Sequence, residues 1–357
     1  MPIDPGIELL PDVPIAGPAD DLLGHAPLAE RLVELACASP AATPRVIGLV
    51  GTAGIGKTSV LHLAGLLLAE RPEVATVAID AGDHGTADAT LAAMTATVHE
   101  VFKSGGVVEA ADAARDALAR YGEVVSTAVR LAGVKVDVAG AVQRSAASAR
   151  AELVENAQQL GKRVVIVIDH LDRLVDRELA AAVGALRVFA QIPYLGFIVA
   201  YDRRALASRA LDPAALARLI HVELAVPAVD RVLLARLVAG GLARAAERLG
   251  RTIDPILPLL DPDATTGLGL ALCETPRDGK RLVNTLAAAL PLLSDADLRR
   301  AALDAAVRLV APILDGPRLA PVPLQQRAER AAELRARIAA HPLAAPLGAA
   351  IDALVAS

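Results

Sequence analysis

A glycine-rich segment near residue 50 has the residue types and spacing of a phosphate-binding loop. Gly51-Thr-Ala-Gly-Ile-Gly-Lys57-Thr58 matches G-x-x-x-x-G-K-[ST] at every fixed position. The glycines let the backbone curl so that successive N–H groups point at phosphate oxygens. Lys57 supplies a positive charge near the β- and γ-phosphates, and the Thr58 hydroxyl is a ligand for Mg²⁺. The segment therefore predicts binding of a nucleoside triphosphate, ATP or another, together with Mg²⁺.

The residues on either side of this loop have the pattern that phosphate binding requires. Arg45–Val50 indicates a strand that leads into the loop, and Ser59–Arg71 indicates a helix that leaves it. The positive N-terminal end of such a helix faces the same phosphates. The nucleotide contacts predicted from this segment are Gly51, Thr52, Ala53, Gly54, Ile55, Gly56, Lys57, Thr58 and Ser59.

Two further apolar runs end in an acid. Val164–Ile168 is followed by Asp169, which is typical of a Walker B strand whose carboxylate holds Mg²⁺ through water. Asp169 and Thr58 are therefore the predicted metal ligands. Leu195–Tyr201 is followed by Asp202, for which two interpretations remain. Asp202 or Tyr201 faces the γ-phosphate as a sensor if this strand lies between the other two; otherwise Asp202 caps the next helix.

Four apolar runs predict the sheet that positions these residues. Arg45–Val50, Val74–Ile79, Val164–Ile168 and Leu195–Tyr201 are rich in β-branched residues without polar alternation. Such runs suit strands that are buried on both faces of a parallel sheet, with helical crossovers between them. We therefore predict an α/β fold, a three-layer P-loop NTPase sandwich with a parallel sheet, followed by an all-helical C-terminal domain.

The same pattern divides the chain into segments. Residues 1–24 are predicted to be extended, and residues 25–226 form the P-loop core. Because about 80 residues separate the second and third strands, the core carries a helical insert at about 87–160. Residues 227–357 are predicted to form a helical lid and C-terminal domain.

Composition limits the classes of protein that fit. The net charge is -5, from 36 basic and 41 acidic residues, which disfavours a general nucleic-acid-binding protein. The longest apolar stretches, Val124–Val142 and Val188–Tyr201, are broken by charges or proline, so we expect no integral membrane segment. Cys37 and Cys273 are interpreted as buried thiols in a reducing compartment. With no signal peptide visible, these features predict a cytoplasmic protein.

Four segments together resemble the KAP family of P-loop ATPases. Asp20-Asp-Leu-Leu-Gly24 resembles the family's approach to the loop, and Ile168-Asp-His-Leu-Asp-Arg173 resembles its I-D-D-L-D-R signature. Phe189–Asp202 resembles its sensor strand with the preceding helix. Thr275-Pro-Arg-Asp-Gly-Lys-Arg-Leu-Val-Asn284 is similar to its T-P-R-x-x-K-R-x-x-N motif. The order and spacing agree over about residues 20–290.

The resemblance implies an additional-strand (ASCE) ATPase core, related to the AAA+ and STAND classes, followed by a helical domain. It also implies that Arg277 reaches the phosphates and that Leu23 and Gly24 lie against the base. An ordinary helix start after Pro276 is the alternative for Arg277. Many members carry transmembrane helices in the insert, which this chain does not show in its sequence.

His170 departs from the family pattern, which has a second Asp at this place. A neutral imidazole lacks the fixed negative charge that would polarise the attacking water. Three alternatives follow. Asp172, the next acid, polarises the water instead, or hydrolysis is slow and the protein acts through nucleotide binding. In the third, His170 only faces the loop and orders water. The predicted catalytic residues are therefore Lys57, Asp169, Asp172 and His170.

These features favour a nucleotide-dependent conformational switch or regulator whose protein partner binds the insert or the C-terminal helices. The alternatives are a scaffold with little hydrolysis, a small-molecule kinase, and an AAA+-like ATPase that acts on nucleic acid. For the last, Arg203, Arg204 and Arg209 would form a basic patch or an arginine finger, although a solvated helix face is simpler. Leu324–Ala340 is predicted to be an amphipathic helix, at the surface or in a homo-oligomer.

Overall fold

A computed structural model describes residues 9–84 without 39, 41 and 42, then 154–155, 162–209 without 191, 216–263, 267–311 and 326–356. The chain divides into two compact units. One, the NTPase unit, is Pro14–Pro227, and the other, the helical unit, is Met1–Val13 with Ala228–Ser357. The predicted insert at about 87–160 lies outside the described residues, except for residues 154–155.

A parallel sheet forms the centre of the NTPase unit. Its strands in the described residues are β1 (Arg45–Val50), β2 (Val74–Asp80), β3 (Arg163–Asp169), β4 (Leu195–Tyr201) and β5 (Val222–Ala225). Their order across the sheet is β2-β3-β4-β1-β5, and every neighbouring pair is parallel. Every residue of β3 and β4 is buried, as unbroken apolar runs predict. The short, largely exposed β5 was not predicted, because Glu223 interrupts its apolar pattern.

Helices cover the sheet and close its core. They are α1 (Ala26–Cys37), α2 (Lys57–Ala69), α3 (Ala81–His84), α4 (Asp176–Phe189) and α5 (Arg203–Ala207), with short 3-10 helices at Pro18–Asp20 and Leu171–Arg173. Leu32 of α1, Leu68 of α2 and Leu186 of α4 are fully buried, as is Phe197 of β4. Burial of these apolar side chains is the main term that stabilises the unit.

The strand register places the carboxyl ends of the strands at one edge. Val50 pairs with Tyr201, and Asp80 pairs with Asp169. Ligands bind at this edge in open parallel sheets, because the loops that follow the strands converge there. The sheet therefore brings together Asp169, Asp202 and the glycine-rich loop, which were predicted from separate motifs.

Arg163, the first residue of β3, binds the end of α1 and the segment that follows it. Its buried guanidinium donates hydrogen bonds to the backbone carbonyls of Ala36, Ala38, Pro40 and Thr43, the last at 2.9 Å. Burial lowers the pKa of Arg163, and Arg45 adds a smaller repulsion in the same direction. A guanidinium with several donors in one plane can satisfy such a group of carbonyls, which a single ammonium cannot.

The helical unit confirms the predicted helical C-terminal part. It contains α6 (Arg231–Glu247), α7 (Leu268–Ala271), α8 (Pro276–Ala289), α9 (Asp295–Val310), α10 (Arg327–Ile338) and α11 (Ala344–Ala356), with 3-10 helices at Asp254–Leu260 and Leu290–Leu292. Val238, Leu282 and Leu334 lie in one buried cluster. Within the described residues, none of the helices combines the length and apolarity that crossing a membrane requires.

The start of α8 explains part of the T-P-R motif. Thr275 and Asp278 form a capping box: the Thr275 hydroxyl accepts from the Asp278 backbone N–H, and the Asp278 carboxylate accepts from the Thr275 backbone N–H. Pro276 occupies the first turn, where its missing N–H costs nothing.

The rest of the T-P-R motif holds the N-terminal segment. Asn284 accepts a hydrogen bond from the Leu10 backbone N–H at 2.7 Å and donates one to the Leu10 carbonyl at 2.9 Å. Lys280 donates to the Pro11 carbonyl at 3.0 Å. Residues 277, 280 and 284 share one face of a helix. This face of α8 therefore binds residues 10–13 of the same unit.

Replacement of Arg163 by methionine is expected to destabilise the protein by about 2–4 kcal/mol, because several half-buried carbonyls lose their charged donor. Arg163→Lys keeps the charge but reaches fewer carbonyls, so we expect an intermediate loss. Urea unfolding followed by circular dichroism measures the change. The matched control is Arg31→Met, whose side chain is 59% exposed and should cost less than about 0.5 kcal/mol. Equal losses at both positions would contradict the role of Arg163.

Candidate functional site

The glycine-rich loop connects β1 to α2 and adopts a conformation that depends on its glycines. Gly54 and Gly56 have φ angles of 82° and 112°, in the left-handed region that favours glycine. A Cβ on Gly56 would also collide with the imidazole of His25, which packs behind the loop. The sequence pattern of the loop therefore reflects both backbone conformation and lack of space.

Lys57 lies inside the curl of the loop. Its side chain is only 7% exposed, and its Nζ donates to the carbonyls of Gly51 at 2.7 Å and Thr52 at 3.2 Å. The ammonium is thus held beside the backbone N–H groups that the motif supplies for phosphate. The combination concentrates positive potential at the N-terminus of α2.

The two predicted metal ligands are in direct contact. The Thr58 hydroxyl donates to Asp169 Oδ2 at 2.7 Å, although the two residues are 111 positions apart in the chain. A hydroxyl and a carboxylate are the hard oxygen ligands that Mg²⁺ prefers. Mg²⁺ usually takes one or two protein ligands and completes its shell with water and phosphate oxygens. The pair therefore fits a magnesium ion, although the described residues contain no cluster of three or more His, Cys, Asp or Glu suited to a metal.

Asp202 contacts both the loop and the helix that follows it. The strand β4 lies between β1 and β3, which is the position that the sensor interpretation required. Asp202 Oδ2 accepts from the Ala53 backbone N–H at 3.2 Å, and Oδ1 accepts from the Arg204 backbone N–H at 2.9 Å. Asp202 therefore caps α5, as one interpretation predicted, while its other oxygen contacts the loop; its role as a sensor of the γ-phosphate stays a prediction.

His170 lies beside the Thr58–Asp169 pair. Its Nε2 is 3.7 Å from Asp169 Oδ2, the oxygen that also accepts the Thr58 hydrogen bond. On the other side of the ring, Nδ1 is 2.8 Å from Asp80 Oδ2. Sequence reasoning did not select Asp80. The sequence held only part of the signal, since Asp80 follows the apolar run Val74–Ile79, whereas the pairing of this strand with β3 comes from the sheet.

Asp172 lies on the 3-10 helix that follows His170. Its Oδ1 is buried, and within the described part of the chain this atom has no hydrogen-bond partner. Its backbone carbonyl accepts from the Arg209 guanidinium at 3.3 Å. The structure therefore brings Lys57, Thr58, Asp169, His170 and Asp202 together around the loop, and places the Asp172 carboxylate oxygen away from solvent.

Of the other predicted nucleotide contacts, Leu23, Gly24 and Ser59 belong to the NTPase unit and Arg277 belongs to the helical unit. Leu23 is half-buried, and Gly24, with a φ angle of 73°, precedes α1. The Ser59 hydroxyl oxygen accepts from the Ile15 backbone N–H at 3.4 Å. Arg277 belongs to the helical unit, where its Nε is 2.8 Å from Asp12 Oδ2.

Two buried rings lie next to the glycine-rich loop and the strand before it: His25 beside Gly56, and Tyr201 beside Val50. Burial lowers the pKa of His25, with the nearby Asp21 carboxylate acting in the opposite direction, so its imidazole is neutral at neutral pH. Burial raises the pKa of Tyr201, and a hydrogen bond to Glu223 raises it further. The phenol therefore stays protonated and donates to Glu223 at 2.6 Å. Arg203, one of the predicted basic-patch residues, forms an ion pair with the same glutamate.

Solved structures similar to this chain include several AAA+ P-loop ATPases. Cdc6p from Pyrobaculum aerophilum is 12% identical, with a TM-score of 0.47 over 96% of this chain and 82% of that one. The Aeropyrum pernix ORC1 protein, solved in complex with DNA, is 18% identical, with a TM-score of 0.41 over 96% and 85%. A single-residue variant of RuvB from Thermotoga maritima is 14% identical, with a TM-score of 0.37 over 88% and 83%. Among curated proteins, none matches this chain.

A family model described as the KAP family P-loop domain matches residues 25–213. The matched residues are more than half of the 357-residue chain, and they include the glycine-rich loop, Asp169 and Asp202. The chain belongs to the KAP family of P-loop NTPases.

Proposed function

We propose that the protein binds ATP or another nucleoside triphosphate with Mg²⁺ at the Gly51–Thr58 loop and hydrolyses it. The observation that carries this proposal is the 2.7 Å hydrogen bond between Thr58 and Asp169. It joins the end of the phosphate-binding loop to the acid of a second strand, which is the arrangement that phosphoryl transfer uses to hold Mg²⁺. Bound Mg²⁺ would neutralise charge on the β- and γ-phosphates.

The loop residues bind and orient the phosphates. The backbone N–H groups between Gly51 and Lys57 and the N-terminus of α2 receive phosphate oxygens. The Lys57 ammonium, which contacts the Gly51 and Thr52 carbonyls, is near enough to the loop to serve the β- and γ-phosphates as a point charge. Ala53 is already bonded to Asp202, so Asp202 is suited to respond when phosphate enters the loop.

His170 is the better candidate for the group that accepts a proton from the attacking water. Its ring nitrogen lies beside Asp169, whereas the Asp172 Oδ1 atom is buried. A neutral imidazole nitrogen accepts a proton readily, so the missing second acid of the family does not by itself prevent hydrolysis.

The hydrolysing site supports the role of a nucleotide-dependent switch or regulator. Asp202 links the loop to α5, and such links carry a local change at phosphate into a neighbouring element. Arg277 contributes to this switch only if its guanidinium exchanges the Asp12 carboxylate for phosphate. A protein partner at the C-terminal helices or the insert, and a cytoplasmic location, remain predictions from the sequence.

A nucleotide-dependent scaffold is the second candidate function. His170 replaces the family's acid, and this substitution favours slow turnover. Measurement of ATP turnover together with particle size, with and without nucleotide, separates the two roles. Turnover of bound ATP supports the switch, whereas tight binding without turnover supports the scaffold. Transfer of phosphate to a metabolite would favour a kinase instead.

Lys57→Ala should weaken MgATP binding by about 100-fold or more, since charged hydrogen bonds contribute about 1.5–3 kcal/mol each and 1.4 kcal/mol is tenfold in affinity. Isothermal titration calorimetry measures the dissociation constant. Lys162→Ala is the matched control, because it removes the same charge at an exposed position and should leave the affinity within about twofold. Unchanged affinity of Lys57→Ala, with a native circular dichroism spectrum, would remove the binding proposal.

Asp169→Asn tests the magnesium site. The amide keeps the size of the side chain and an oxygen for the His170 N–H, and its NH₂ can donate to the Thr58 hydroxyl, but it loses the negative charge that Mg²⁺ requires. We expect ATP affinity in Mg²⁺ to fall by about 10- to 100-fold, and affinity in excess EDTA to change by less than about threefold. Fluorescent-nucleotide titration in both buffers gives the two values. Parallel losses in both buffers would show that Asp169 does not act through the metal.

His170→Ala should lower the single-turnover rate of ATP hydrolysis by about 100-fold or more, as removal of a general base does. Asp172→Asn should lower it by a smaller factor, because that carboxylate has a buried oxygen without a partner. Rapid-quench measurement with saturating enzyme reports the rate for both variants. The reverse order would assign water activation to Asp172.

A further inference from the structure

Asp80 lies next to His170 because of the register between β2 and β3. The two strands pair without interruption from Val74 with Arg163 to Asp80 with Asp169, so they end at the same level. His170 is the first residue beyond β3, and its side chain meets the carboxylate at the end of β2. Asp80 lies outside every motif of the sequence, and the register alone places it here.

The Asp80 carboxylate is fixed at both oxygens. Oδ1 accepts from the Gly82 backbone N–H at 2.8 Å, and Oδ2 is 2.8 Å from His170 Nδ1. An ionised carboxylate accepts hydrogen bonds but cannot donate them, so the hydrogen of this contact belongs to Nδ1. In the neutral ring, Nε2 then carries the lone pair.

The backbone at His170 orients the ring toward the Thr58–Asp169 pair. His170 has a φ angle of 58°, and it is one of two non-glycine residues with a positive φ in the described part of the chain. Its backbone N–H donates to Asp169 Oδ1 at 2.7 Å, which fixes the turn. The side chain is 16% exposed, and Nε2 lies 3.7 Å from Asp169 Oδ2. Two carboxylates, Asp80 and Asp169, thus face the two ring nitrogens.

We propose that Asp80 is a positioning residue, which holds the His170 imidazole in the Nδ1–H tautomer with the Nε2 lone pair beside the Thr58–Asp169 pair. The proposal rests on the proposed hydrolysis and deepens it. A water oxygen forms a bond to the γ-phosphorus, the bond from that phosphorus to the bridging oxygen breaks, and its electron pair leaves with the nucleoside diphosphate. The water proton moves to Nε2, and the imidazolium that results is stabilised by the Asp80 carboxylate at Nδ1.

Asp80→Asn is the sharpest variant, because it keeps the size of the side chain and reverses the tautomer. The Gly82 N–H holds the amide oxygen where it held Oδ1, so the amide NH₂ faces Nδ1 and donates to it. Nδ1 must then carry the lone pair, and Nε2 carries a hydrogen and cannot accept a proton. Asp80→Ala removes the constraint without imposing the opposite tautomer.

The tautomer is measured directly by ¹⁵N NMR of protein that is labelled at histidine, at about pH 8.5, where free imidazole is neutral. The His170 signals are assigned from their loss in His170→Gln. We expect Nε2 to be unprotonated in the wild type, Nδ1 to be unprotonated in Asp80→Asn, and a mixture in Asp80→Ala. An Nε2–H tautomer in the wild type would overturn the proposal. This readout requires neither nucleotide nor activity.

Kinetics provide the second readout. Asp80→Asn should lower kcat by about 100-fold or more, as loss of the base function does, while the nucleotide dissociation constant changes by less than about threefold. Asp80→Ala should lose less than Asp80→Asn. A purely structural role predicts the opposite order, because alanine removes both hydrogen bonds and asparagine keeps the shape. Asp80→Asn combined with His170→Ala should be no slower than His170→Ala alone.

The two proposals fail in different ways. If the wild type binds nucleotide but does not turn it over, hydrolysis is wrong, and the NMR result still decides whether Asp80 sets the tautomer. If the wild type turns over and Asp80→Asn retains its kcat, the positioning role is wrong and hydrolysis stands. Thermal unfolding of each variant, expected within a few degrees of the wild type, shows that the folded protein is being compared.

Discussion

The parallel pairing of β3 with β2 on one side and β4 on the other is the constraint on which the site depends. It brings Asp80, Asp169 and Asp202 to the edge where β1 ends in the glycine-rich loop. The hydrogen bond between Thr58 and Asp169 joins residues 111 positions apart, because the sheet order places β3 only one strand away from β1. A shift of one residue in either strand would reverse the face of every side chain and would move these acids out of place.

Two polar groups of the loop, the Lys57 ammonium and the Ala53 N–H, already have hydrogen-bond partners within the chain. Lys57 bonds to the Gly51 and Thr52 carbonyls, and the Ala53 N–H bonds to Asp202. At these two groups, binding of a phosphate would exchange hydrogen bonds, so the net gain per exchanged bond would be modest. Under the proposed function, specificity for phosphate would come from the positive potential at the start of α2, where the backbone N–H groups and the ammonium meet.

Most residues of the T-P-R motif have a structural role in the helical unit. Thr275, Pro276 and Asp278 start a helix, and Asn284 binds the backbone of Leu10 through both ends of its amide. The family resemblance implied a phosphate contact for Arg277, whose guanidinium is paired with Asp12 in the helical unit. Pro276 and Arg277 therefore begin a helix, and contact of Arg277 with nucleotide stays a prediction.

The sequence by itself determined the loop, the strand that ends in Asp169, the α/β class and the helical C-terminal part. These are local signals, because glycine spacing, apolar runs and helix periodicity act within a few residues. It could not show β5, whose short exposed strand has no such signal, or the position of β4 between β1 and β3. Only the tertiary structure placed Asp80 against His170 and gave Asp202 two partners. The physical reason is that these contacts follow from strand order and register, which depend on how buried faces pack across the whole sheet and not on any local pattern.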